Sequence, residues 1–191
     1  MSGETAPQSA RKNIGVLVLG LGNVVLGDDG LGPAAIARIE RDYRIPPGVR
    51  FEDGGTLGLS LLGLIADSDR VILVDAVRAD APPGTLVRLD GADVADAVWN
   101  RLSPHQVGVA DLLEAARLID CYPSAVTLLG LVPEVIDLAV VRSSAVDNGL
   151  DELVAAVVGE VRSLGYRMVR EPEEAASGRR LVDNLTRHFG M

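Results

Sequence analysis

The stretch "VLVLGLGNVVLGDDGLG", residues 16–32, decides how the chain reads. It opens as an uninterrupted apolar run closing on "GLG", the form of a strand buried on both faces and followed by a tight turn. A dinucleotide fingerprint requires a third glycine three residues after the second, and Val25 stands there instead. Two adjacent carboxylates, Asp28 and Asp29, occupy the place where such folds meet phosphate. An acidic turn there repels phosphate, and no P-loop lysine follows it.

Working outward, "NIGVLVLG" (13–20), "RVILVDAV" (70–77) and "SAVTLLGLVPE" (124–134) read as buried strands. A turn and short strand fall in "PPGVRFEDGG" (46–55), and a turn with an alternating, half-exposed strand in "PPGTLVRLDG" (82–91). Helices are predicted over 31–43, 57–69, 92–102, 108–120 and 148–165; in the first, Ile36, Ile39 and Tyr43 recur at helical spacing behind Pro33. Apolar strands alternating with helices predict an α/β fold, an open parallel sheet with helices on both faces. The expected division is a polar leader over 1–12, one domain over 13–168 and a tail over 169–191. Leu181, Val182, Leu185 and Phe189 form one helical stripe in that tail, which leaves both a docked helix and a frayed end open.

Composition narrows the partners. The 191 residues are a one-domain length. A formal charge of −9 argues against nucleic acid and anionic membranes, which demand clustered Lys and Arg. The single cysteine, Cys121, forbids an intramolecular disulfide and suits a reducing compartment. The N-terminal "MSGETAPQSARKN" has no apolar core of a signal peptide, and no run reaches the ~20 apolar residues of a membrane span. A cytoplasmic monomer is expected.

In an open α/β sheet, ligands bind beyond the carboxyl ends of the strands, where the chain order reverses. The first three strands each deliver acids there: Asp28 and Asp29 after the first, Asp53 in "EDGGT" after the second, and Asp75 in "LVDAV" at the end of the third. If the first strand lies between the other two, these acids converge. Each also has a plain structural reading. Asp28 can cap a turn, Asp29 can open a helix and Asp53 can brace its glycine loop. Asp75 follows four apolar residues, so it is expected to be buried and to need a partner or a cation. His105, in "SPHQVGVADLL", is expected in a short polar loop just before a helix, whereas His188 lies in the tail. Two carboxylates and an imidazole suit a borderline divalent ion with open positions. No G-x-S-x-G elbow is present, and nothing around Cys121 marks it as a nucleophile. Trp99 and Tyr122 read as packing residues.

At these residues the sequence resembles the [NiFe]-hydrogenase maturation endopeptidases. The stretches that carry the resemblance are "VLVLGLGNVVLGDDGLG", "FEDGGTLGLSLLG", "VILVDAV", "PGTLVRL", "SPHQVGVADLLEAARL" and "TLLGLVPE", in that order across residues 14–165. The resemblance implies an α/β/α sandwich with a twisted, mostly parallel sheet. It also implies a metal-binding triad at Asp29, Asp75 and His105. The first of these is Glu in many members and the shorter Asp here. Asp53 matches a position tied to activity in a role that is not settled. The implied activity is removal of the C-terminal extension of the hydrogenase large-subunit precursor, with nickel already inserted in that substrate and Zn or Cd able to take its place in vitro. Asp53 and Asp28 are both candidates for the general base. Two other readings stay open on the residues alone: a nickel-sensing chaperone that does not cut, and a nucleotide- or nucleoside-binding enzyme on the same kind of sheet.

Overall fold

The structure, a computed structural model, describes residues 13–94 and 104–172. A five-stranded sheet forms its centre, from β1 (Ile14–Leu21), β3 (Val49–Gly55), β4 (Ser68–Ala76), β5 (Leu86–Asp90) and β6 (Ala125–Leu131), in the order β3-β1-β4-β6-β5. The first four in that order are mutually parallel, and β5 closes the edge antiparallel to β6. β1 therefore lies between β3 and β4, and the reversal of chain order falls between β1 and β4.

Strand alternation sorts the core into two layers. Val16 and Val18 of β1, with Ile72 and Val74 of β4, face α1 (Leu31–Asp42) and α4 (Ser144–Ser163). Leu17 and Leu19, with Val71 and Leu73, face α2 (Leu62–Ala66) and α3 (Pro104–Leu118). The result is the expected three-layer α/β/α arrangement. Helix α1 lies so close to the sheet that a Cβ at Gly32 would strike the backbone of Leu21 and Val74. That glycine seats the start of α1 directly on the point where β1 and β4 part.

Several boundaries differ from the sequence reading. The helix over 57–69 is a 3-10 turn, Gly58–Leu61, followed by the short α2, because Ser68 already belongs to β4. Ser68 is fully buried and its hydroxyl donates to the Leu64 carbonyl at 2.6 Å. Helix α4 starts at Ser144, not 148: Ser143 caps it by accepting from the Val146 N–H at 3.3 Å. The strand over 124–134 ends at Leu131. Residue 168 does not end the fold, because β7 (Val169–Arg170) pairs with β2 (Tyr43–Arg44). The helix over 92–102 is described only at its first turn, 92–94; Trp99, the leader and His188 lie outside the described residues. Tyr122 packs at the rim of the second layer beneath the Arg117 guanidinium, 4.2 Å from its ring centre.

Asp42 ties this second small sheet to α1. It accepts from Arg41 Nε at 2.6 Å and Arg38 Nε at 2.8 Å, and its own carbonyl accepts from the Glu171 N–H. The Arg41 bond, supported by Arg38 and opposed by burial, holds its carboxyl at about 2. A carboxyl that titrates lower folded than unfolded stabilises fully above its unfolded value and loses that stabilisation as pH falls through the folded one. Asp42→Asn is expected to cost about 1–2 kcal/mol at neutral pH. The difference from wild type should shrink as pH drops from about 4 to about 2, as read from denaturant unfolding across that range.

Candidate active site

The strand order places the acids along one edge of the sheet. Gly20 of β1 pairs with Asp53 of β3 on one side and with Val74 of β4 on the other, so Asp53 and Asp75 flank the end of β1. Asp28 and Asp29 follow on a 3-10 turn, Gly27–Gly30, that runs straight into α1. Gly22, at φ +123°, makes the sharp exit from β1, and a Cβ there would strike the Asp29 carbonyl. The helix start that greets phosphate in nucleotide-binding relatives of this fold is thus filled by the chain's own carboxylates, where the helix dipole favours negative charge.

Backbone donors orient each acid. The Asn23 N–H donates to Asp29 Oδ2 at 2.7 Å, and the Ala76 N–H to Asp75 Oδ1 at 2.7 Å. Both residues are buried: Asp29 is 0% exposed and Asp75 1%. Asp53 is exposed, and its Oδ1 accepts from the Gly55 N–H at 3.0 Å, which braces the double-glycine loop.

Asp28 is different. It is fully buried, and its carboxylate accepts four hydrogen bonds: from the N–H groups of Glu134 (2.8 Å), Val135 (3.0 Å) and Ser143 (2.6 Å), and from Ser143 Oγ (2.9 Å). Burial acts to raise its pKa, but these bonds, led by Val135, Ser143 and Glu134, outweigh it and hold the carboxyl below its usual value. As a candidate base Asp28 is therefore corrected: its oxygens are engaged in latching the 133–143 segment to the acidic turn. The sequence reading missed that segment and Ser143, although "SSAVD" before an apolar helix is a readable N-cap signature.

His105 is also corrected in its setting. It lies in the first turn of α3, behind Pro104 as the first helical residue, and not in a loop. One turn further on, Gly108 lies against Gly58, its Cα 3.6 Å from where a Gly58 Cβ would stand. That contact brings the start of α3 beside the loop following β3. Among the described residues, no group of three His, Cys, Asp or Glu side chains forms a metal cage. A cleft of about 380 Å³ opens between the segments that follow β4 and β6 and is lined by Arg78, Pro83, Pro133, Glu134 and Ile136 among others. Among the described residues no helix is long and apolar enough to cross a membrane.

The fold is an α/β sheet that carries carboxylates at its switch point. A family model described as hydrogenase maturation protease matches residues 33–160. The chain is 34% identical over 161 residues to the hydrogenase 2 maturation protease of Escherichia coli K12, covering 84% of this chain and 97% of that one. It is 36% identical over 157 residues to the hydrogenase expression/formation protein HupD of Rhodobacter capsulatus, covering 81% and 75%. Among solved structures, the E. coli hydrogenase maturating endopeptidase HybD superposes with a TM-score of 0.79 at 33% identity, covering 83% of this chain and 98% of that one. The [NiFe] hydrogenase maturation protease HybD of Thermococcus kodakarensis superposes at 0.65 and 26% identity, covering 77% and 99%. The chain belongs to the hydrogenase maturation protease family, a family of hydrolases.

Proposed function

We propose that this protein is the endopeptidase that removes the C-terminal extension of a [NiFe]-hydrogenase large-subunit precursor, and that its acidic edge reads nickel already seated in that substrate. The observation that carries the reading is the pair of buried carboxylates, Asp29 and Asp75, at the switch point of a chain that spans nearly all of HybD. A buried carboxylate is costly unless it meets donors or a cation. His105 would complete these acids as an oxygen, oxygen, nitrogen set of the kind that suits nickel, and Zn or Cd in vitro.

The chemistry follows from that placement. Asp29, Asp75 and His105 are the residues that would hold nickel brought in by the substrate, and nickel there would position the chain end and supply Lewis acidity at the scissile carbonyl. Water attacks that carbonyl carbon. Asp53, exposed at the same edge, takes the water's proton and passes it to the departing amine as the C–N bond breaks. The cleft beside Arg78 and Glu134 accommodates the chain next to the cut. One cysteine and a charge of −9 suit a monomer that meets its precursor in the cytoplasm.

Mass spectrometry of the precursor C-terminus tests the proposal. Nickel-loaded precursor from the same genome should lose its C-terminal peptide in the presence of the protein, and nickel-free precursor should stay whole. Binding of the loaded precursor with no shortening would favour a nickel-sensing chaperone instead.

A further inference from the structure

The segment latched by Asp28 carries an exposed apolar face. Leu138, Val140 and Val141 are 81%, 83% and 76% exposed, and Val135 and Ile136 beside them are also exposed. Across the acids, Leu57 and Leu59 expose a second apolar shoulder after β3. The strand order sets these two shoulders on either side of the β1 and β4 ends. This is not a loose loop. The Ala139 N–H donates to the Val25 carbonyl at 3.0 Å, the Gly27 N–H donates to the Ala139 carbonyl at 2.6 Å, and the Asp28 N–H donates to the Val135 carbonyl at 3.2 Å. With the four bonds to the Asp28 side chain, the apolar face is fixed to the turn that bears Asp29.

We infer that residues 135–141 form the docking surface for the folded body of the protein substrate, next to the chain end that is cut. This rests on the protease reading above. The occupant follows from the attachment of the surface: its hydrogen bonds to the acidic turn make it continuous with the edge that the protease reading assigns to the precursor. A surface already held in place loses little freedom on binding, so its apolar contacts count nearly in full. "VIDLAVV" carries one charge, Asp137, and the neighbouring Arg142 is engaged with Asp147 at 2.8 Å. A segment whose single charge is negative does not suit an anionic lipid face.

The test compares the triple variant Leu138→Ser, Val140→Ser, Val141→Ser with a control, Leu118→Ser, Ile119→Ser. The control residues are apolar and exposed, at 84% and 52%, and lie at the C-terminal end of α3, which leads into the opposite end of the strands. Full-length protein is titrated with nickel-loaded precursor by interferometry and by cleavage. The triple variant should weaken Kd and raise KM about tenfold or more, with kcat at saturating precursor within about twofold. The control should match wild type, and the melting temperature should hold in both. If the triple variant fails to fold, Leu138→Ser alone should shift Kd about threefold. Unchanged Kd and KM in folded variants would overturn the inference while leaving the protease reading intact. Sedimentation of wild type as a dimer that the triple variant dissolves would overturn it in favour of a second copy. Weakened binding, with wild type that never cuts, would uphold the surface and remove the protease reading.

Discussion

Asp75→Asn should leave a folded protein that no longer processes its precursor. Asn keeps the volume of Asp and still accepts the Ala76 N–H bond, so the end of β4 should hold its shape. What disappears is the negative charge at the switch point. If that charge holds the substrate's nickel, kcat/KM should fall on the order of 10³-fold, the scale of removing one member of an electrostatic site. Asp29→Asn should do the same, since the Asn23 N–H bond survives that change as well. Combining the two should cost little more than either, because groups that act as a unit lose their effect together. Near-wild-type cleavage by either variant would remove the acids from the reaction.

Asp28→Ala should instead strike stability. Four donors, three of them backbone N–H groups of the 133–143 segment, lose a buried charged acceptor at once. Stranded donors are costly, and the segment recovers part of that cost by opening to water. The expected loss is about 3–4 kcal/mol, at the upper end of single substitutions. Asp28→Asn, with one acceptor oxygen left, should lie between. Denaturant midpoints with constant m-values measure both. Cleavage should fall as well, and through KM, because the apolar face over 135–141 depends on the latch. A loss under about 1 kcal/mol would mean that the segment is held by something else.

The parts of the fold legible in the sequence are those written locally. β1, β4 and β6 are continuous apolar runs, and each was readable as a strand buried on both faces. An acid at the end of each early strand was enough to expect a shared edge, and the β3-β1-β4 order brings it about. What escaped was held by distant partners. Ser68 is polar and looks like the end of a helix, yet it enters the sheet because β1 pairs with it at Ile14. Asp28 resembles an ordinary turn residue beside Asp29, and its partners lie 106 to 115 residues further on. No periodicity announces such a latch. The two-residue pairing of β2 with β7 is likewise too short to leave a pattern.

The most direct test of the central claim is mass spectrometry of nickel-loaded and nickel-free precursor incubated with wild type and with His105→Ala. The account predicts a shortened C-terminus in one of the four mixtures, wild type with nickel-loaded precursor. Equal shortening by His105→Ala, or equal shortening of the nickel-free precursor, would contradict a site that reads the substrate's metal through Asp29, Asp75 and His105.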